Sequence, residues 1–180
     1  MASEVPSAVL RRFFTGLTEQ TFQAQLGVAD PSLIDYLSEL LIRFVRFDAV
    51  YGVRHLSGRR ATEIGEMLYE AEQRIGGARR EVHRHIGDFA LFWTGLYPEA
   101  LRKRTAKGET DRFGDYCVHG KRAYFIASTI EADSEDPAPN DVLERLSRHF
   151  EMCAYGLREV RREWERREDD PESPNPLLLN

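Results

Sequence analysis

The chain has 180 residues, 42% of them hydrophobic and 31% charged, with a formal net charge of −5. That describes one globular domain whose core needs no disulfide or metal staple, and two cysteines, Cys117 and Cys153, cannot build a secreted-type disulfide framework. The start lacks the apolar core of a signal peptide, no apolar run nears the roughly 18 residues of a membrane span, and 30 acids face 22 Arg and 3 Lys, so the reading is a cytoplasmic protein with neither a membrane nor a nucleic-acid partner.

A short helix is expected from about Ser7 to Thr15. Thr18 then reads as the N-cap of a second helix, with Leu17 stapled on Phe22 and Gly27 as its C′ glycine. Asp30-Pro31 is an N-cap and N1 pair opening a long helix through Leu33, Ile34, Leu37, Leu41, Phe44, Val45 and Tyr51. Beyond the Ser57-Gly58 break, Ile64, Met67, Leu68, Ala71 and Ile75 keep helical spacing until Gly76-Gly77. The next helix, from about Ala78 to Gly95, carries Val82, Ile86, Phe89, Ala90 and Trp93 on its centre line, widened by Phe92, Leu96 and Tyr97, and so broad an apolar arc predicts a central position.

Pro98-Glu99 reads as a helix restart, with Arg102-Lys103-Arg104 at the helix C-terminus and a polar loop from Thr105 to Thr110. Phe113, Tyr116, Cys117, Gly120, Ala123, Tyr124 and Ala127 then line one face of a helix. The last predicted helix, from about Asp141 to Glu168, places Leu143, Leu146, Phe150, Cys153, Leu157, Val160 and Trp164 on an a/d seam. Such a seam needs a partner, either within the bundle or on a second subunit. The fold predicted is all-α, a single-domain bundle of six or seven mostly antiparallel helices with a long C-terminal helix. It comprises residues 1–168, followed by an acidic, Pro-rich disordered tail over residues 169–180 whose Leu177-Leu178-Leu179 could dock elsewhere.

Among groups able to carry chemistry, Asp48 stands out because it falls near the centre of the face defined by Leu41, Phe44, Val45 and Tyr51. An unpaired carboxylate there would cost several kcal/mol, so it must meet a cation or hydroxyl, hold a metal, or reach water. Three pairs at i,i+4 spacing, Glu81 with His85, Asp115 with His119 and His149 with Cys153, could converge from different helices on one zinc or iron ion. With 37 Asp, Glu, His and Cys in the chain, about two such pairs arise by chance. The run Arg80-Glu81-Val82-His83-Arg84-His85 resembles the Arg and His pair of helical-bundle nucleases of the HEPN type, and Arg112 to His119 has the same form. The resemblance implies His85 as general acid or base toward a 2′-hydroxyl and Arg80 as the stabiliser of phosphate charge.

Residues 79–122 carry a balance of +4 and the remainder −9. This predicts that the acidic last helix packs beside the basic middle; the competing reading is a phosphate site at Arg79, Arg80, Arg84, Lys121 and Arg122. Gly87, Gly120 and Gly156 fall inside core helices at a cost of about 1 kcal/mol each, which something in close approach must justify. A neighbouring helix backbone is the common reason. An aromatic-walled cavity lined by Phe89, Phe92, Trp93, Tyr97, Tyr116 and Tyr124 is the rarer one. No catalytic motif stands above chance, so the functional expectation is a non-catalytic protein acting through association, with a protein partner or a second copy of itself, through Leu143, Leu146, Phe150, Leu157, Val160 and Trp164. The alternative is a bundle enzyme or sensor with a metal or anion between its helices.

Overall fold

The computed structural model describes residues 7–44, 50–55, 57–105, 108–133 and 138–170. Seven α-helices are found among them: α1 (Ser7–Glu19), α2 (Pro31–Phe44), α3 (Ile64–Glu72), α4 (Gly76–Leu96), α5 (Phe113–Thr129), α6 (Asn140–Arg148) and α7 (Phe150–Glu168). The architecture is the all-α bundle read from the periodicity. The central helix is α4, which packs on α3, α5 and α7, while α5 packs also on α6, and α1 on α2 and α7. None of the helices described is long and apolar enough to cross a membrane.

Local chemistry explains most boundaries. Asp30 Oδ1 accepts the Leu33 N–H at 3.1 Å just ahead of Pro31, which caps α2. Gly27 takes φ +67°, and Val28 N–H reaches back to the Phe22 carbonyl at 2.8 Å, closing the preceding helical segment. Glu63 and Glu66 form a reciprocal capping box at the start of α3.

Three boundaries differ from the expectation. Thr18 caps nothing: its hydroxyl donates to the Phe14 carbonyl four residues back, at 2.7 Å, and α1 runs on into a π-helical turn, Gln20–Gln25. Leu17 and Phe22 are core residues. The expected helix end and polar loop after Pro98 are instead a 3₁₀ turn, Pro98–Leu101, and an antiparallel hairpin of β1 (Arg102–Thr105) and β2 (Gly108–Asp111), paired from Arg102↔Asp111 to Thr105↔Gly108. Its sequence is polar on both faces, so no alternation marked it. The long last helix is broken at His149, which has φ −113° and ψ 29° and separates α6 from α7.

That break sends the a/d seam inward. Phe150 packs its ring on Tyr124 at 6.2 Å between centroids and faces Gly120, while Leu143, Leu146, Leu157 and Val160 are also 0% exposed. Trp164 stacks edge-on against Phe14 at 5.2 Å. The chain therefore covers its own seam, and the association surface expected there is corrected: Leu143, Leu146, Phe150, Leu157 and Val160 are core, with Trp164 half-buried at its edge.

The helix glycines mark close contacts. A Cβ on Gly87 would lie 2.6 Å from the Tyr124 ring, one on Gly120 2.5 Å from the Phe150 ring, and one on Gly156 2.1 Å from the Phe22 ring. Gly16, inside α1, has nothing within 4 Å. Gly156→Ala is expected to destabilise the protein by about 1–3 kcal/mol through overpacking, and Gly16→Ala to stabilise it by about 0.5–1 kcal/mol through helix propensity, both read by denaturant unfolding. Equal effects at the two sites would contradict the packing described.

Candidate functional site

The helix face that α4 turns toward α2 and α5 carries a carboxylate, Asp88, that is 0% exposed. Its Oδ1 accepts two phenol hydroxyls, from Tyr36 at 2.7 Å and Tyr124 at 2.6 Å, and its Oδ2 accepts from Arg43 Nη2 at 3.0 Å. Burial alone would push the Asp88 carboxyl up, but Arg43, Arg84 and the two hydroxyls more than offset this and hold it below the usual carboxylate range. Burial, with Asp88 adding to it, pushes Tyr36 and Tyr124 up, so both stay protonated as donors. Arg43 lies 5.8 Å over the Tyr36 ring and 5.8 Å over that of Phe44.

In front of this cluster a 490 Å³ cleft is lined by Ser32, Asp35, Tyr36, Glu39, Arg43 and Arg84, together with Ala138, Pro139 and Val142. Both cations at the cleft, Arg43 and Arg84, act on Asp88. Two further acids, Asp35 and Glu39, line the same cleft, and Glu39 is ion-paired with Arg11.

Arg80 is also 0% exposed, one helical face round from Asp88. Its Nε donates to the Ile130 carbonyl at 3.2 Å, and its Nη2 to the Ala138 carbonyl and to Asn140 Oδ1, each at 2.7 Å. It thus clasps the end of α5 to the start of α6. His85 Nε2 is 3.0 Å from the Val50 carbonyl, and its ring lies 5.9 Å from that of Phe44. Burial pushes the His85 pKa down, with Asp88 opposing. The five-residue separation of Arg80 and His85 turns them about 140° apart on the helix, and each is bonded to a different part of the fold. The structure does not bring them together on one phosphate.

The ligand pairs are dispersed in the same way. Glu81 and Asp115 are exposed and His119 half-buried, while His149 stands exposed at the α6–α7 break. Cys153 is buried, and burial, with Asp30 adding to it, pushes its thiol up to about 12, which keeps it protonated rather than a thiolate ligand. No three His, Cys, Asp or Glu among the described residues lie together as a metal site. Asp48 lies outside the described residues. Of the proposed phosphate-binding set, Arg80 is sealed in its clasp and Lys121 is paired with Glu151 at 2.8 Å.

The group that the sequence reading missed is Asp88. Its signal was present: between Ile86 and Leu96 it is the single charged residue in an otherwise apolar and small-residue run, on a helix too apolar to be exposed on that side. A second buried group is His83, 4% exposed, with neither ring nitrogen hydrogen-bonded among the described residues. Burial, with Arg79 and Arg122 adding to it, pushes its pKa down to about 4.

Compared with protein-family profiles, with curated proteins and with solved structures, the chain matches none of them.

Two outcomes follow from these buried groups. Tyr124→Phe deprives a buried carboxylate of a donor and should cost about 2 kcal/mol in denaturant unfolding, whereas Tyr155→Phe, on an exposed residue, should cost nothing measurable. His83 resists protonation in the fold until pH falls to about 4, while the unfolded chain takes up the proton near 6.5. Folding stability is therefore undiminished above pH 6.5 and falls by up to about 3 kcal/mol between 6.5 and 4. His83→Leu should remove that part of the loss, so the stability difference between variant and wild type should widen from about pH 7.5 to about pH 4.5. A constant difference would refute a buried neutral imidazole. Asp88, held below the carboxylate range, loses its contribution only at still lower pH.

Proposed function

We propose that the chain is a non-catalytic helical protein that acts through protein association, and that its association partner is a second copy of itself. The observation that carries the reading is on the outer face of α5 and α7. Val118 is 63% exposed, Phe125 55% and Tyr155 51%, three large apolar side chains on neighbouring helices. Lys121 and Glu151 bridge those helices at 2.8 Å, with Val118 and Phe125 one turn to either side of Lys121 and Tyr155 one turn beyond Glu151. Exposed aromatic and branched side chains are what interface centres are enriched in, and an ion pair carrying both charge signs beside them can meet its own copy across a two-fold axis.

The buried polar groups favour this reading over the enzyme or sensor alternative. Both Asp88 oxygens are engaged by donors from its own fold and its pKa is depressed, so as a base it is held silent.

Sedimentation velocity across the micromolar range tests the proposal. Wild type is expected to pass from monomer to dimer with concentration. Phe125→Glu, which sets a charge into the patch, is expected to raise the dissociation constant at least about tenfold with helical content unchanged. A wild type that stays monomeric throughout, or a Phe125→Glu variant that dimerises equally well, would overturn it.

A further inference from the structure

A cavity of 370 Å³ opens where α1, α2, α4 and α7 meet. Six aromatic rings line it, Phe14, Phe44, Phe92, Trp93, Tyr97 and Trp164, and the two tryptophans are the chain's full complement. The half-buried Trp93 and Trp164 and the exposed Tyr97 form its mouth, and beneath them Phe14, Phe44 and Phe92 are buried and braced by neighbouring rings. Phe14 meets Trp164 at 5.2 Å, Phe44 meets Phe92 at 5.2 Å, and Phe92 meets Trp93 at 5.3 Å, all edge-to-face. Rings already paired in their preferred geometry gain little by collapsing into a neighbouring gap. Nor can the helices close on it, because α4 and α7 are already in contact beside it: a Cβ on Gly95 would lie 2.8 Å from the Leu157 Cβ. The space is built into the fold.

The chemistry of the rim selects the ligand. Trp164 Nε1 donates to Glu168 at 2.8 Å, outside the ring cluster. The Arg161 guanidinium sits 4.8 Å over the Tyr97 ring, but it is tied to Glu99 at 2.6 Å, to Glu165 at 2.7 Å and to the Leu96 carbonyl. A charged ligand would have to break those pairs or enter an apolar space unpaired, and both are costly. We infer that this cavity binds a neutral, largely apolar small molecule bearing a ring, of roughly 10–20 non-hydrogen atoms. The inference stands independently of the self-association proposed above, which uses a different face.

The probe for the test is N-phenyl-1-naphthylamine, neutral and aromatic, titrated into the full chain. Expected are saturable binding at one probe per chain and quenching of tryptophan emission. Trp93→Phe and Trp164→Phe each keep a ring in the wall and leave one tryptophan, and in both variants the remaining emission should be quenched. Tyr97→Asp, which sets a charge at the exposed mouth, should weaken binding at least tenfold with helical content unchanged. Absence of binding by the wild type, or quenching of only one of the two tryptophans, would overturn the inference. So would binding that appears only when Leu177, Leu178 and Leu179 are all changed to Asp, because the chain's own leucines would then be the occupant. Loss of binding in step with dimerisation would assign the cavity to a second copy and overturn it equally.

Discussion

Asp88 is a full charge taken out of water, and the bundle is arranged around the donors that make this tolerable. An isolated carboxylate in that position would cost far more than a protein of this size can spare. Here two hydroxyls and a guanidinium supply three short bonds, and they come from α2 (Tyr36 and Arg43) and α5 (Tyr124), while the carboxylate itself belongs to α4. Three helices are thereby referred to one point. The residue before it takes part as well: Gly87 has no Cβ to hold off the Tyr124 ring, so the ring lies flat against α4 and its hydroxyl reaches Asp88. The glycine admits the tyrosine and the carboxylate fixes it.

Arg80 performs the complementary task on the same helix. Eight residues from Asp88, about 12 Å along the axis, its guanidinium binds carbonyls at the end of α5 and the start of α6. Apolar packing between helices is compatible with several small shifts in register, since one methyl group is much like the next. Directional bonds to buried groups are not, because a shift leaves a charge unsatisfied at a cost of several kcal/mol. Two such pins on α4 set the register of α2, α5 and α6 around it, and the glycine contacts at Gly120 and Gly156 set the spacing of α7.

Where the sequence carried a local physical signal, the fold was legible. The Asp30-Pro31 cap, the Gly27 stop and the face of α5 from Tyr116 to Ala127 lie where periodicity and capping chemistry put them. The features missed depend on partners far along the chain. No glycine or proline adjoins His149 to mark the break, and Phe150 just past it packs against Gly120 and Tyr124, some 30 positions back in the chain. The hairpin is held by backbone bonds between polar strands, to which side-chain periodicity is blind. Of the candidate site residues, Arg80 and His85 were read as one nuclease-like pair, whereas the fold bonds each to a different part of the chain. Arg80 finds its acceptors 50 to 60 residues away, carbonyls and an amide oxygen where the competing reading of the charge balance had a phosphate.

The adjacency of Arg43 and Phe44 on α2 joins the polar cluster to the aromatic cavity. Arg43 is held by Asp88 on one side and lies over the Phe44 ring on the other, and Phe44 in turn meets Phe92 edge-on and forms part of the cavity wall. Phe44 also contacts the ring of His85, which is anchored to the Val50 carbonyl. Phe44 is packed among rings in the core, while its neighbour Arg43 makes the charge-assisted bond to Asp88. Adjacent residues of one helix thus face the two sides of the bundle, Arg43 the buried carboxylate and Phe44 the aromatic cluster.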